Sequence, residues 1–233
     1  MSPDKQYLDS NIKEEKNSFF KSLSYGLYFV AILWFVKLIE LIFSIELTFL
    51  GVYPQSFKGL PGIFFSPLIH GDFSHLFSNS FPLLVLVPLL FYFYKDIGFR
   101  VFLLTWLIGN IWLWIIGRDS YHIGASGIIY GLAAFLFISG IIRRHPRLMA
   151  LSLLVAFLYG GMVWGILPLQ EGVSWEGHLM GMLAGVMLAV FYKDEGPQRK
   201  IYEWELEEEE EEETFDGKTL AEWDEYFDQK AKK

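Results

Sequence analysis

Ser126 stands in the run Tyr121-His122-Ile123-Gly124-Ala125-Ser126-Gly127-Ile128-Ile129-Tyr130-Gly131-Leu132, where a polar loop turns into a long apolar stretch. Glycine beside a serine has no Cβ to keep backbone N–H groups away from whatever the hydroxyl touches. A serine hydroxyl is a weak nucleophile until a base within about 2.6–3.2 Å can take its proton. His178, in Gly177-His178-x-x-Gly181-x-x-x-Gly185, is a candidate for that base. Attack on an amide also creates an oxyanion, which needs preorganised donors worth on the order of 10²–10³ in rate each. His75 and Asn79, four residues apart and therefore on one helix face, are candidates, as are backbone N–H groups at the Ser126 turn. No Asp or Glu is placed to orient His178, because Glu176, two residues away, points elsewhere on a helix. The pattern is a Ser-His dyad, with Tyr130 one turn below Ser126 and able to hold the imidazole by packing.

These residues are far apart in the chain, so other elements must bring them together. At 53% hydrophobic and 18% aromatic over 233 residues, the sequence is too apolar for an ordinary soluble domain. Apolar runs of about 18 residues or more are long enough to cross a bilayer. They predict an all-α polytopic membrane protein with six spans: Tyr25–Ile45, Phe73–Tyr94, Phe102–Ile116, Ala125–Ile142, Leu148–Leu167 and Trp175–Phe191. The first follows a polar segment of about 25 residues, too long a lead for a cleaved signal peptide. Asp72 or Ser74 is placed to cap the second span. Lys37 and Glu40, inside the first, predict a structural ion pair between helices, since unpaired charge is costly there. The aromatics of the long loop after the first span suggest a segment lying in the interface. There is no cysteine, and hence no thiolate site.

Six spans leave both termini on one side. Lys95, Arg100, Arg143, Arg144, Arg147, Lys193, Arg199 and Lys200 fall on that side, against only Lys58 and Arg118 opposite, so both ends are expected to be cytoplasmic. The second, fourth and sixth spans then all begin at the outer face, which brings His75, Asn79, Ser126 and His178 to one depth. Gly127-x-x-x-Gly131 and the Gly177, Gly181, Gly185 series predict two helices that approach closely enough for Ser126 to meet His178. His70 reads as a loop residue bonding backbone, and His122 as a loop histidine outside the site. The chain divides into a cytoplasmic lead (1–24), a six-span core (25–192) and a cytoplasmic tail (193–233). Within the tail, Glu207 to Glu213 read as a solvated linker, and Leu220, Trp223 and Phe227 share one helix face.

His70-x-x-x-x-His75-x-x-x-Asn79, Gly124-Ala125-Ser126-Gly127 and Gly177-His178-x-x-Gly181-x-x-x-Gly185, in this order on these spans, resemble the signature set of the rhomboid intramembrane serine proteases. The resemblance covers residues 25–192. It implies that Ser126 is the nucleophile and His178 its base, and that His75 and Asn79 help form the oxyanion hole. His70, Gly124, Gly127 and Tyr130 then have supporting roles, with Tyr130 packing on His178. It implies membrane-spanning protein substrates with small residues near the cut, entering from the lipid beside the second or fifth span. The expected location is the plasma (inner) membrane, with the site open to the outer side. Neither cofactor, metal nor nucleic acid is implied. Many members carry a Trp-Arg pair in the first outer loop where this chain reads Pro61-Gly62-Ile63-Phe64-Phe65, so the resemblance supplies no anchor for that loop.

Two rival classes fit less well. A catalytically silent relative that binds membrane segments would usually lack the serine or the histidine, and both are present. A metal-dependent membrane enzyme or transporter using His70, His75 and His178 would want ligands at tight helical spacing such as His-Glu-x-x-His, which the sequence does not have.

Overall fold

The computed structural model describes residues 3–169, 172–198 and 220–231. Among them the elements are helices joined by loops, with one isolated antiparallel bridge between Val52 and His122. The helices are α1 (Pro3–Phe43), the short α2 (Gly62–Phe65), α3 (Phe73–Phe93), α4 (Gly98–Ile116), α5 (Ser126–Arg143), α6 (Pro146–Tyr159), α7 (Trp175–Phe191) and α8 (Leu220–Ala231). Five segments are long and apolar enough to cross a membrane: Asn11–Phe43, Phe73–Phe93, Gly98–Ile116, Ser126–Arg143 and Pro146–Ile166. The sixth expected span, α7, is apolar but only 17 residues long.

The boundaries depart from the sequence reading for identifiable reasons. Helix α1 starts at Pro3, far ahead of Tyr25, because no proline or glycine interrupts the chain between Pro3 and Gly26. Helix α4 starts at Gly98 rather than Phe102. The fifth span is α-helical only to Tyr159 and continues as a 3₁₀-helix from Gly160 to Ile166, the change falling on the Gly160-Gly161 pair. Asp72 caps α3 by accepting from the His75 N–H at 2.7 Å, and that bond holds its carboxyl below the usual carboxylate range.

Helices α3, α5 and α7 pack around a core that includes Leu83, Leu86, Leu90, Leu132, Phe135, Leu136 and Leu188, with Tyr94 against Phe135 at one end. Lys37 and Glu40 do pair, at 3.0 Å, but one turn apart within α1 rather than between helices. The pair still ties α1 to its neighbours. Lys37 Nζ donates to the carbonyls of His70 and Gly71 at 2.8 and 3.0 Å, and Glu40 accepts from the Leu47 N–H at 2.9 Å. A charge inside a span is thereby spent on fixing the loop that leads into α3.

The first long loop finds its anchors on α4. Trp106 Nε1 and Asn110 Nδ2 donate to the Ile63 carbonyl at 3.1 and 3.0 Å, and Trp114 Nε1 donates to the Ser56 carbonyl at 3.0 Å. Lys58 lies 3.7 Å from the centroid of the Tyr53 ring, which in turn meets Tyr121 edge-on. Backbone bonds between Val52 and His122, at 3.0 and 2.8 Å, then join this loop to the one that delivers Ser126.

The chain separates into two compact units at Gln198 and Arg199, a few residues beyond the expected boundary at 193. In the second unit, α8 places the Trp223 and Phe227 rings 5.7 Å apart on one face. Glu207 to Glu213, read above as a linker, lie outside the described residues, as do Arg199 and Lys200.

Candidate active site

Helices α5 and α7 form the most extensive helix pair in the bundle, and their glycine faces meet. A Cβ at Gly181 would stand 2.0 Å from the Gly127 carbonyl oxygen, and one at Gly185 would stand 2.0 Å from that of Gly131. Only hydrogen side chains permit this approach, the geometry that small residues at four-residue spacing allow in membranes. At the end of this seam where Gly127 faces Gly177, Ser126 Oγ lies 2.8 Å from His178 Nε2.

The other nitrogen of His178 decides what this contact can do. Nδ1 is 2.8 Å from the Gly165 carbonyl, an acceptor only, so the proton sits on Nδ1 and Nε2 presents its lone pair to the serine. A backbone carbonyl thus takes the orienting place that a carboxylate holds in a triad. Tyr130 stacks on the imidazole, with centroids 4.2 Å apart and planes within 9°, and its own hydroxyl donates to the Met162 carbonyl at 2.9 Å. Both carbonyls belong to the 3₁₀ segment that ends the α6 span. Gly165 has no room for a side chain: a Cβ there would overlap the Tyr130 hydroxyl at 1.8 Å.

His75 and Asn79 line the same cavity as Ser126 and His178. Gly124, at φ 106°, turns the chain so that its Cα faces the His75 ring. Any Cβ there would be both conformationally strained and 2.6 Å from His75 Nε2. Gly127 sits on the seam with α7, where a Cβ would come 3.2 Å from the Gly177 carbonyl. One N–H of the buried Asn79 amide is committed to the His75 carbonyl at 2.9 Å, which leaves the other for the cavity. The first-turn N–H groups of α5 lack intrahelical partners, as at every helix start.

His70 does not bond backbone through its ring. Among the described residues neither ring nitrogen has a hydrogen-bond partner, and the ring instead packs edge-on against His75 at 5.0 Å. Burial, with His75 adjacent, lowers its pKa to about 3, so it is neutral at physiological pH. Its backbone carbonyl, held by Lys37, is what the fold uses.

His122 is the residue that sequence reasoning set aside and the structure brings in. It is buried, with Nε2 3.1 Å from the Arg118 carbonyl and Nδ1 2.6 Å from Ser174 Oγ. Burial lowers its pKa, which favours the neutral ring. Nε2–H then donates to Arg118, and Nδ1 accepts from the Ser174 hydroxyl. Ser174 is also the cap of α7, accepting from the Gly177 N–H at 3.2 Å. His122 therefore links the loop four residues before Ser126 to the cap four residues before His178. Arg118 adds a second tie, donating to the Val173 carbonyl at 2.7 Å and pairing with Glu176 at 3.4 Å. The signal available in the sequence was Ser174-x-x-Gly177 at the start of α7, a cap that needs an outside partner for its hydroxyl.

The cavity, about 680 Å³, runs from Ser126 and His178 to the loops around Gly71, Ser120 and Val173. Its walls carry both polar groups and apolar side chains such as Ile129 and Met162. Among the described residues, no three His, Asp or Glu side chains are grouped to hold a metal ion.

A family model described as the Rhomboid domain matches residues 58–195. An uncharacterized protein of Mycobacterium tuberculosis, Rv1337, is 38% identical over 187 residues, covering 75% of each chain. An uncharacterized Mycobacterium leprae protein, ML1171, is 35% identical over 184 residues, covering 75% of this chain and 72% of its own. YdcA of Bacillus subtilis, provisionally named a rhomboid protease, is 28% identical over 137 residues, or 52% of this chain and 62% of its own.

Proposed function

This chain belongs to the rhomboid family, and from that premise we propose that it is an intramembrane serine endopeptidase working through Ser126 and His178. The observation that carries this reading is the 2.8 Å contact between Ser126 Oγ and a His178 Nε2 whose partner nitrogen is tied to the Gly165 carbonyl. In this reading Nε2 takes the serine proton as Oγ attacks a peptide carbonyl, then returns it to the leaving amine. Water in the 680 Å³ cavity releases the acyl group by the same route. Asn79, His75 and the first-turn N–H groups of α5 stabilise the oxyanion. The helix dipole adds to them.

The substrate is a transmembrane segment that unwinds locally, because an intact helix keeps its carbonyls out of reach. α7 serves as the sixth span, which sets the site near the outer face of the plasma (inner) membrane and both termini in the cytoplasm. The chemistry belongs to residues 25–192, and residues 1–24 and 193–233 are cytoplasmic appendages to it.

The test is cleavage of a membrane-embedded helix carrying small residues, by the protein reconstituted in liposomes, with Asn79→Ala alongside. The wild type cuts at one position near the outer face. Asn79→Ala lowers kcat on the order of 10²-fold with little change in KM, because an oxyanion donor acts mainly in the transition state. A change confined to KM would remove Asn79 from that role, and no cleavage by the folded wild type would contradict the proposal.

A further inference from the structure

At the end of the bundle opposite Ser126, a second cavity of about 840 Å³ lies between α1, α3 and α4. It is separated from the site along α3 by roughly 18–24 Å of helix rise between His75 and the lining residues Val87 and Phe91. Ring contacts set its level. Phe19 meets Tyr92 at 6.0 Å and Tyr25 meets Phe91 at 4.5 Å, so residues 19–25 of α1 lie beside the last turn of α3. The cavity's lining changes character along its length. Lys21 and Lys95 stand at one end with Asn17 and Ser18, and Phe29, Ile32 and Phe102 line the other.

Two cations close to this cavity, Arg100 and Arg143, already have partners. Arg100 pairs with Glu195 at 2.8 Å, and Arg143 donates to Ser139 and to the carbonyls of Tyr192 and Pro197. Lys21 and Lys95 have no carboxylate within ion-pair distance among the described residues. Lys95 only leans toward the Tyr92 ring, at 5.8 Å. Two unpaired ammonium groups sit where spans meet the basic side of the protein, above an aromatic and aliphatic floor. That arrangement complements a molecule with an anionic head and an apolar body.

We propose that this cavity binds an anionic phospholipid, its phosphate between Lys21 and Lys95 and the upper part of its acyl chains against Phe29, Ile32 and Phe102. The volume falls in the range of about 300–1,000 Å³ usual for ligand sites. It takes the head and the first stretch of the chains, and the rest stays in the bilayer. Under the orientation given above, this end faces the cytoplasmic leaflet, where anionic lipids supply such ligands. The proposal rests on that orientation and is independent of proteolysis.

Native mass spectrometry of the delipidated full chain in detergent tests it, with equimolar palmitoyl-oleoyl phosphatidylglycerol and phosphatidylcholine added. The wild type retains one phosphatidylglycerol with a preference of about 30-fold, the factor supplied by two lysines at ~1 kcal/mol each. The double variant Lys21→Gln, Lys95→Gln loses that preference, whereas Lys58→Gln, on the opposite side, keeps it. Ile32→Trp, which fills the apolar floor and leaves both lysines in place, also loses retention, and serves if the double variant does not fold. Equal retention of phosphatidylcholine, or a double variant that still selects phosphatidylglycerol, would overturn the proposal. So would complete displacement by millimolar glycerol 3-phosphate, which would make the site one for free phosphate.

Discussion

Ser126→Ala and His178→Ala each bring cleavage of a membrane-embedded helix down to background, a loss on the order of 10⁴-fold or more. The two losses are about equal and the double variant is no worse, because a nucleophile and its base act as one unit. Folding is affected much less. Ser126 is half-buried and gives up a single hydrogen bond, worth about 1 kcal/mol. His178→Ala removes more, since the ring also stacks on Tyr130 and donates to Gly165. His178→Phe separates the two effects: it keeps an aromatic ring against Tyr130, has no base, and is expected to fold and be inactive. Substantial cleavage by a folded Ser126→Ala or His178→Phe protein would remove that residue from the chemistry.

The second large effect comes from a residue that touches no substrate. Gly181→Ala places a methyl group 2.0 Å from the Gly127 carbonyl oxygen and 2.7 Å from its carbon, both backbone atoms that cannot rotate away. The seam between α5 and α7 must widen, and Ser126 and His178 sit on its two sides. A misplacement of about 1 Å costs on the order of 10²-fold in rate, and overpacking costs about 1–3 kcal/mol in stability. Both cleavage and the unfolding temperature in detergent are expected to fall. Gly161→Ala is the control for overpacking, because a Cβ there has no neighbour within 4 Å, and it is expected to leave the unfolding temperature unchanged. Wild-type cleavage by Gly181→Ala would mean that the seam does not set the distance between the two side chains.

The convergence of Ser126, His178, His75 and Asn79 was legible in the sequence for a simple reason. Each lies at the start of an apolar run, and every second run starts at the same face. The glycine spacing on α5 and α7 supplied the close approach. What was not legible lies mostly in backbone acceptors. The Gly165 and Met162 carbonyls belong to a 3₁₀ turn that no side-chain pattern announces, yet they fix the His178 tautomer and the Tyr130 ring. The same holds for the Ile63 and Ser56 carbonyls that Trp106, Asn110 and Trp114 grip in a chain without the Trp-Arg pair of many family members. His122 was misread because a lone loop histidine gives no sign of burial, and its partner Ser174 is 52 residues away. Lys37 and Glu40 were recognised as a pair, but a helical spacing of three could not say whether they meet within α1 or across helices.

The central claim is that Ser126 is activated by His178, and covalent labelling tests it most directly. The purified protein in detergent is treated with a fluorophosphonate, and the modified residue is located by peptide mass mapping. The expected result is one adduct, on Ser126, absent from His178→Phe. A folded wild type that stays unlabelled, or an adduct on another serine with Ser126 untouched, would contradict the claim.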